Sequence, residues 1–238
     1  MSVALSAQAA QRPNVILIYT DDHGYTDLGA YGIDPHVDTP HMDQLARDGA
    51  LMTDGYSSAP QCQPSRAGLM AGRIQNEFGF GRNGSNAGEG AGKFPTTYGP
   101  GTDMAGQPLL TIAERMQKLG YLTCFSGKWH LGDSKKGKGK SKHVPFNRGF
   151  EYYWTGTMTT GSANLTLDGK PAEHHDKRGL PEGVANRVIL QGKYAESFIE
   201  LSQTEDKPFF IYLPLYGPHL PLIKESDPYY QNFPKLDY

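Results

Sequence analysis

A continuous apolar run from Asn14 to Tyr19 ends at two adjacent carboxylates, Asp21 and Asp22. Pro13 precedes the run, which is β-branched at its start and contains no charged residue. This pattern is typical of a fully buried strand in a largely parallel sheet. Helix and strand signals follow in alternation, and such alternation predicts an α/β fold with helices packed on the sheet.

Helix starts are marked by N-cap and first-turn proline signals, and helix ends by glycine. Strands are marked by short apolar runs. Helices are expected from Thr39-Pro40 to Gly49, from Pro64-Ser65 to Gly72, from Leu109 to Leu119 and around Arg187 to Leu201, and further strands from Tyr121 to Ser126 and from Phe209 to Leu213.

Composition and charge argue against several classes of protein. The 23 Lys and Arg residues nearly balance 25 Asp and Glu, and the formal net charge is −2. That value is too close to neutral for a protein whose main partner is a nucleic acid or an anionic membrane surface. No stretch approaches about eighteen consecutive apolar residues, so no transmembrane segment is predicted. Two cysteines cannot form a disulfide framework.

Three segments are expected to lack regular structure. Residues Met1 to Gln11 are a floppy N-terminus or a remnant of an export signal, because Ala7-Gln8-Ala9 resembles a signal-peptide end but no basic or long apolar region precedes it. Gly79 to Gly106 is predicted to be a long surface loop near the functional site. Ser134 to His143 contains five lysines and is either a solvated loop or a patch that attracts polyanions.

Asp21 and Asp22 lie where open α/β sheets place their ligand sites, at the carboxyl end of a strand. Adjacent carboxylates repel each other unless a cation or a shared proton lies between them. Asp22 therefore either caps a turn into His23-Gly24 or, with Asp21, binds a hard cation such as Ca²⁺ or Mg²⁺.

The segment Cys62-Gln63-Pro64-Ser65-Arg66 places a cysteine just ahead of a predicted helix. The free N–H groups at a helix start bind anions and favour a thiolate. Arg66 adds a fixed positive charge one turn later. Cys124, in contrast, lies within a predicted strand and is expected to be an inert core residue.

Two further polar segments follow predicted strands. Lys128-Trp129-His130 comes after the strand that ends at Ser126, and Lys128 and His130 would share a direction if the chain stays extended. Pro218-His219 follows the Phe209 to Leu213 strand in the same topological position. Each histidine taken alone has a structural alternative, but three strand ends that carry carboxylates, lysine and histidine together predict a functional site.

These residues form a pattern that resembles the sulfatase family of the alkaline-phosphatase superfamily, over roughly Arg12 to Leu222. The resemblance implies an alkaline-phosphatase-like α/β sandwich with a largely parallel central sheet flanked by helices. It rests on Pro13-Asn14, Asp21-Asp22, Thr39-Pro40, Cys62-x-Pro64-Ser65-Arg66-x-x-Leu69-x-x-Gly72, Gly120-Tyr121, Gly127-Lys128-Trp129-His130-Leu131-Gly132, Arg148-Gly149-Phe150 and Pro218-His219-x-Pro221.

The resemblance also implies a covalent mechanism at Cys62. The thiol is oxidised after translation to formylglycine, whose hydrate attacks sulfur with one hydroxyl and later expels sulfate when the second is deprotonated. The maturing partner would be a formylglycine-generating enzyme or an anaerobic sulfatase-maturating enzyme. The implied metal ligands are Asp21, Asp22 and formylglycine 62, which bind Ca²⁺ or Mg²⁺, and the implied catalytic residues are Cys62, Arg66, Lys128, His130 as base and His219 as donor to the leaving oxygen.

The sequence departs from the family pattern in two places. Ala71 stands where Ser or Thr is usual, and no Asp-Asn pair that would complete the metal site follows Pro221. Residues 12–238 are therefore expected to be the first part of a sulfatase catalytic domain, incomplete at the C-terminus, after a tail at 1–11.

The expected function is hydrolysis of an aryl or carbohydrate sulfate ester, with a sulfated small molecule or glycan as the partner. One alternative is a phosphonate or phosphodiester hydrolase of the same superfamily. Another is an inactive fragment that only binds sulfated polyanions. A periplasmic or secreted location is favoured, with the cytoplasm as the alternative.

Overall fold

The computed structural model describes residues 12–78, 80–83, 109–131, 145–156, 161–177 and 187–219 of the chain. Within these ranges one sheet contains six strands: β1 (Val15–Asp21), β2 (Leu122–Gly127), β3 (Tyr152–Gly156), β4 (Gly161–Leu165), β5 (Pro171–Lys177) and β6 (Phe209–Pro218). The α-helices of the same ranges are α1 (Pro40–Asp48), α2 (Cys62–Ala71), α3 (Ile112–Lys118) and α4 (Arg187–Ser202).

The strand order is β1-β6-β2-β3-β4-β5. Strands β1, β6, β2 and β3 run parallel to one another, whereas β4 and β5 continue the sheet with antiparallel pairings. Consequently the carboxyl ends of β1, β6 and β2 meet at one edge of the sheet, where ligand sites form in open α/β sheets.

The core has two layers because successive residues of a buried strand face opposite sides of the sheet. On one side Phe125, Phe210 and Tyr212 pack with apolar residues of α2 and α3. On the other side Cys124 and Ile211 pack with apolar residues of α4. Helices therefore cover both faces of the sheet, which confirms the predicted α/β architecture.

The prediction of a fully buried first strand is wrong. Ile16 and Ile18 are 49% and 50% exposed, respectively. Their strand, β1, is the end strand of the described sheet and pairs there with β6 alone. Apolar composition indicates strand formation at this position, but the number of neighbouring elements determines burial.

Element boundaries also differ from the predictions. Helix α2 begins at Cys62 rather than at Pro64, since a proline is accommodated anywhere in a first turn whose N–H groups have no helical partner. Strand β6 extends past Leu213 to Pro218. Residues 1–11, most of Gly79 to Gly106 and the whole lysine-rich segment from Ser134 to His143 lie outside the described residues.

In the described part of the chain, no helix combines the length and the apolarity that crossing a membrane requires.

Candidate active site at the carboxyl ends of β1, β2 and β6

Asp21 is the buried anion of the candidate site. It is the last residue of β1 and is only 3% exposed. Lys128 donates a hydrogen bond from Nζ to its Oδ2, and Nη2 of Arg66 lies 3.3 Å from its Oδ1. Two cations therefore surround one carboxylate, and the local excess of positive charge suits an anionic group.

Arg66 is held in a fixed orientation inside the protein. It is fully buried on α2, and its Nη1 donates to the Lys128 carbonyl oxygen at 2.9 Å. Its guanidinium carbon lies 5.4 Å from the centre of the Tyr19 ring, a distance at which a cation and an aromatic face attract each other. Nε makes no hydrogen bond to any described residue. The side chain is therefore rigid and keeps unused donor capacity.

Cys62 and His130 meet at the mouth of the site. Cys62 is the first residue of α2, and its Sγ lies 3.3 Å from Nδ1 of His130. His130 has a left-handed backbone with φ of +57°, so the chain does not stay extended there, which was the condition for Lys128 and His130 to share a direction. The turn nevertheless brings both side chains to the site, with Lys128 on Asp21 and His130 on Cys62.

The pKa of His130 is strongly lowered. Desolvation at the site is the largest cause, followed by the positive charges of Lys128 and Arg66, and together they bring the pKa from 6.5 to about 4. The imidazole of the metal-free chain is therefore neutral at physiological pH. A neutral imidazole 3.3 Å from the side chain of residue 62 is able to accept a proton from it.

Asp22 and His219 form a second, more exposed pair. Asp22 has a φ of +62°, and its carboxylate Oδ2 lies 3.6 Å from Nε2 of His219. The backbone N–H of His219 donates to the carbonyl oxygen of Asp21 at 3.0 Å. This hydrogen bond joins the end of β1 to the end of β6 and fixes His219 beside the two aspartates.

Gly127 allows Lys128 to reach the site. Its φ is +147°, and a Cβ atom there would lie 2.1 Å from the carbonyl oxygen of Pro214 and 2.3 Å from Nε2 of Gln191. The same carbonyl accepts hydrogen bonds from the Lys128 N–H and the Gln191 amide, each at 2.9 Å. A glycine is required because no side chain fits where β2 leaves the sheet.

Within the described part of the chain, the donor set for a hard cation is present only in part. Asp21 and Asp22 supply carboxylate oxygens, the ligand type that Ca²⁺ and Mg²⁺ take. Among the described residues, however, no group of three or more His, Cys, Asp or Glu side chains is arranged to hold a metal ion. The two aspartates therefore fit a cation as one part of its coordination shell, because Ca²⁺ takes about six to eight oxygen ligands.

The structure brings the predicted site residues to one edge of the sheet, and it adds one that sequence reasoning missed. Asn83 contacts Cys62, with Nδ2 3.5 Å from Sγ. The sequence signal for it was the unusual length of the Gly79 to Gly106 segment, which predicted a surface loop near the functional site. Cys124 is buried within β2, and burial raises the pKa of its thiol, in keeping with an inert core role.

Comparison with known proteins identifies the family. A family model described as Sulfatase matches residues 13–238. Human arylsulfatase A is 32% identical over 93% of this chain and 44% of its own length. N-acetylgalactosamine-6-sulfatase of Rattus norvegicus is 30% identical over 92% of this chain and 42% of its own length. The chain thus spans less than half the length of these curated relatives.

A solved structure shares the fold. Ps i-CgsB, solved in complex with k-i-k-neocarrahexaose, has a TM-score of 0.68 and 26% identity, covering 96% of this chain and 50% of its own. This match confirms the predicted alkaline-phosphatase-like fold. Together with the family model over nearly the whole sequence, it leads to one conclusion: the chain belongs to the sulfatase family.

Proposed function

We propose that the protein carrying this chain is a sulfuric ester hydrolase that acts on an aryl or carbohydrate sulfate through a formylglycine formed at residue 62. The observation that carries the proposal is the contact of Cys62 Sγ with a neutral histidine, beside two buried cations. The names of the two curated relatives support a sulfate ester, and the oligosaccharide bound by the solved relative supports a carbohydrate carrier.

Conversion of Cys62 would be carried out by a formylglycine-generating enzyme or an anaerobic sulfatase-maturating enzyme. The hydrated aldehyde supplies two hydroxyl groups on one carbon, so that one bonds to sulfur as the alcohol leaves and the other later drives sulfate out. Cys62 is half-buried at the start of α2, whereas Cys124 is buried in the core between the sheet and α4. Position and accessibility therefore favour residue 62 for the modification.

The remaining side chains have separate roles in this proposal. Arg66 and Lys128 hold the sulfate oxygens, because both are fixed cations at the end of β1. His130 takes a proton from residue 62, since its lowered pKa keeps it neutral and ready to accept one. His219, which lies beside Asp22, donates a proton to the leaving oxygen.

A hard cation belongs to the proposed site. Asp21, Asp22 and the oxygen of converted residue 62 would bind Ca²⁺, or Mg²⁺, as part of its ligand set. The ion would supply positive charge next to the sulfate. Export to the periplasm or the cell exterior is proposed as the location of the enzyme.

The test compares two ester classes in the converted protein, produced with whatever sequence follows this chain in its reading frame. We expect turnover of nitrophenyl sulfate, no turnover after Cys62→Ala, and turnover retained after Cys124→Ala. Preferential hydrolysis of a phenylphosphonate ester would instead support the phosphonate alternative. Salt-sensitive binding to heparin without turnover of either ester would support a non-catalytic polyanion binder.

A further inference from the structure

Asn83 and Gln61 form a reciprocal clasp around the start of α2. Gln61 is the N-cap residue of the helix, yet its side chain makes no capping hydrogen bond. Instead its Oε1 accepts from the backbone N–H of Asn83 at 2.8 Å. Asn83 in turn caps the helix from outside, because its Oδ1 accepts from the backbone N–H of Gln63 at 3.0 Å.

This clasp fixes which end of the Asn83 amide faces residue 62. The Gln63 N–H is a donor and requires an acceptor, so the oxygen of the amide must point towards the helix. The NH₂ end then lies nearer to Cys62, with Nδ2 3.5 Å and Oδ1 3.8 Å from Sγ. His130 Nδ1 approaches the same sulfur at 3.3 Å. The γ atom of residue 62 thus has contacts from two polar side chains that belong to different segments.

We propose that Asn83 is a positioning residue for the side chain of residue 62, which it orients through an Nδ2–H hydrogen bond. The catalytic part of this inference rests on the proposed function, because there residue 62 carries the nucleophile that Asn83 would orient. A side chain tethered by one polar neighbour still rotates about its Cα–Cβ bond. A donor such as Asn83 Nδ2, in addition to His130, restricts that rotation and aims the reacting atom.

A simple capping role for Asn83 makes a different prediction. Aspartate is as good a helix cap as asparagine, because its carboxylate accepts the Gln63 N–H equally well. Asn83→Asp therefore preserves the cap and the backbone contact to Gln61 while it removes the Nδ2–H donor and adds negative charge. Asn83→Ala removes both the cap and the donor. The pair of variants separates positioning from capping.

The first measurement uses the unconverted full chain and does not depend on sulfatase activity. The alkylation rate of Cys62 by iodoacetamide at pH 8 is followed by peptide mass, with buried Cys124 as the internal measure of folding. We expect Cys62 in Asn83→Asp to be alkylated about three- to tenfold more slowly than in the parent, at unchanged thermal stability. This factor corresponds to the free energy of roughly one hydrogen bond. Asn76→Asp adds the same charge at an exposed position of the Gln75–Phe78 turn, and Cys62 in that variant should react as it does in the parent chain.

The clasp is tested from its other side with Gln61→Ala. This variant loosens Asn83 without altering its amide, and we expect a smaller decrease in the same rate. The second measurement is steady-state hydrolysis of nitrophenyl sulfate by the converted protein. There Asn83→Asp should lower kcat by about tenfold or more while KM changes by less than about twofold, because orientation is lost and substrate contacts are kept.

The outcomes are distinct. If the alkylation rate of Cys62 in Asn83→Asp equals that of the parent, and Asn83→Ala only lowers the stability, then Asn83 serves only as a helix cap. That result would overturn the inference. An equal decrease in the Asn76→Asp control would attribute the effect to charge and would also overturn it. Failure of the parent protein to release sulfate would overturn the proposed function, and the alkylation comparison would still decide the role of Asn83.

Discussion

Cys62 Sγ lies 3.3 Å from Nδ1 of His130, although the two residues are 68 positions apart in the chain. One begins helix α2 and the other follows strand β2. Their contact depends on the left-handed turn at His130, which directs the ring back towards α2. The candidate nucleophile and the candidate base are therefore brought together by the fold and not by a local motif.

Conversion of Cys62 is the first prediction. Co-expression with a formylglycine-generating enzyme should lower the mass of the peptide that contains Cys62 by one thiol-to-aldehyde exchange and make it reactive towards hydrazides. The peptide that contains Cys124 should keep its thiol, because that side chain is buried between the sheet and α4. An unmodified thiol at residue 62 under these conditions would contradict the prediction.

The titration of His130 should be abnormal in the metal-free chain. Its NMR Cε1–H resonance, followed in EDTA, should give a midpoint near the pKa of about 4 rather than 6.5. Lys128→Met should raise this pKa, since it removes a nearby positive charge and leaves Asp21 less compensated. A midpoint close to 6.5 in the unsubstituted chain would show that desolvation and the neighbouring cations do not lower the pKa of His130.

The lowered pKa of His130 also gives a stability profile with a defined sign. The unfolded chain takes up the proton near pH 6.5, whereas the folded chain takes it up only near the lowered pKa of about 4. The contribution of this group to stability is therefore present above pH 6.5 and is lost as the pH falls through that window. Denaturant unfolding of the parent and of His130→Gln at several pH values would detect it, because the variant lacks this titration.

Gly127→Ala should be strongly destabilising, because its Cβ would lie 2.1 Å from the backbone oxygen of Pro214. We expect a loss of about 3 kcal/mol or more in the free energy of unfolding, from steric overlap and backbone strain together. Gly72→Ala is the matched control, since it also has a positive φ but nothing within 4 Å of the added atom. That variant should lose about 1 kcal/mol. Equal losses in urea denaturation would refute the steric argument.

Cation binding by the 238-residue chain should be weak. Asp21 is already paired with Lys128 and Arg66, and no complete ligand cluster lies among the described residues. Calorimetric titration with Ca²⁺ should give a dissociation constant weaker than about 10⁻⁴ M. The small heat that remains should disappear in Asp22→Asn, which removes an exposed carboxylate of the site. Micromolar affinity would mean that the chain supplies a full coordination shell.

The candidate site was largely predictable from the sequence because polar residues after buried strands converge by a simple topological rule. Asp21, Lys128 and His219 each follow or end a parallel strand, and the carboxyl ends of such strands meet. The cysteine motif at a helix start required no knowledge of distant contacts. What could not be predicted was the left-handed turn at His130 and the approach of Asn83, since both depend on tertiary packing.

Some strands of the fold could not be predicted from sequence patterns, for a different reason. Strands β4 and β5, with the sequences GSANL and PAEHHDK, show little apolar alternation. They are strands because β3 offers a free edge to pair with, and strand preference depends strongly on such context. The exposure of Ile16 and Ile18 is a second example, since it depends on which elements lie beside β1.

The pairing of β1 with β6 has a consequence for synthesis on the ribosome. Asn14, just before the first strand, accepts a hydrogen bond from the backbone of Phe209, which is 195 positions later. At a translation rate of about 5–20 residues per second, β1 leaves the exit tunnel roughly 10–40 seconds before its partner exists. During that interval the apolar residues of β1, Ile16 and Ile18 among them, have no strand to pair with in β6. Asp21 and Asp22, at the end of β1, therefore join the rest of the site only after Phe209 has been synthesised.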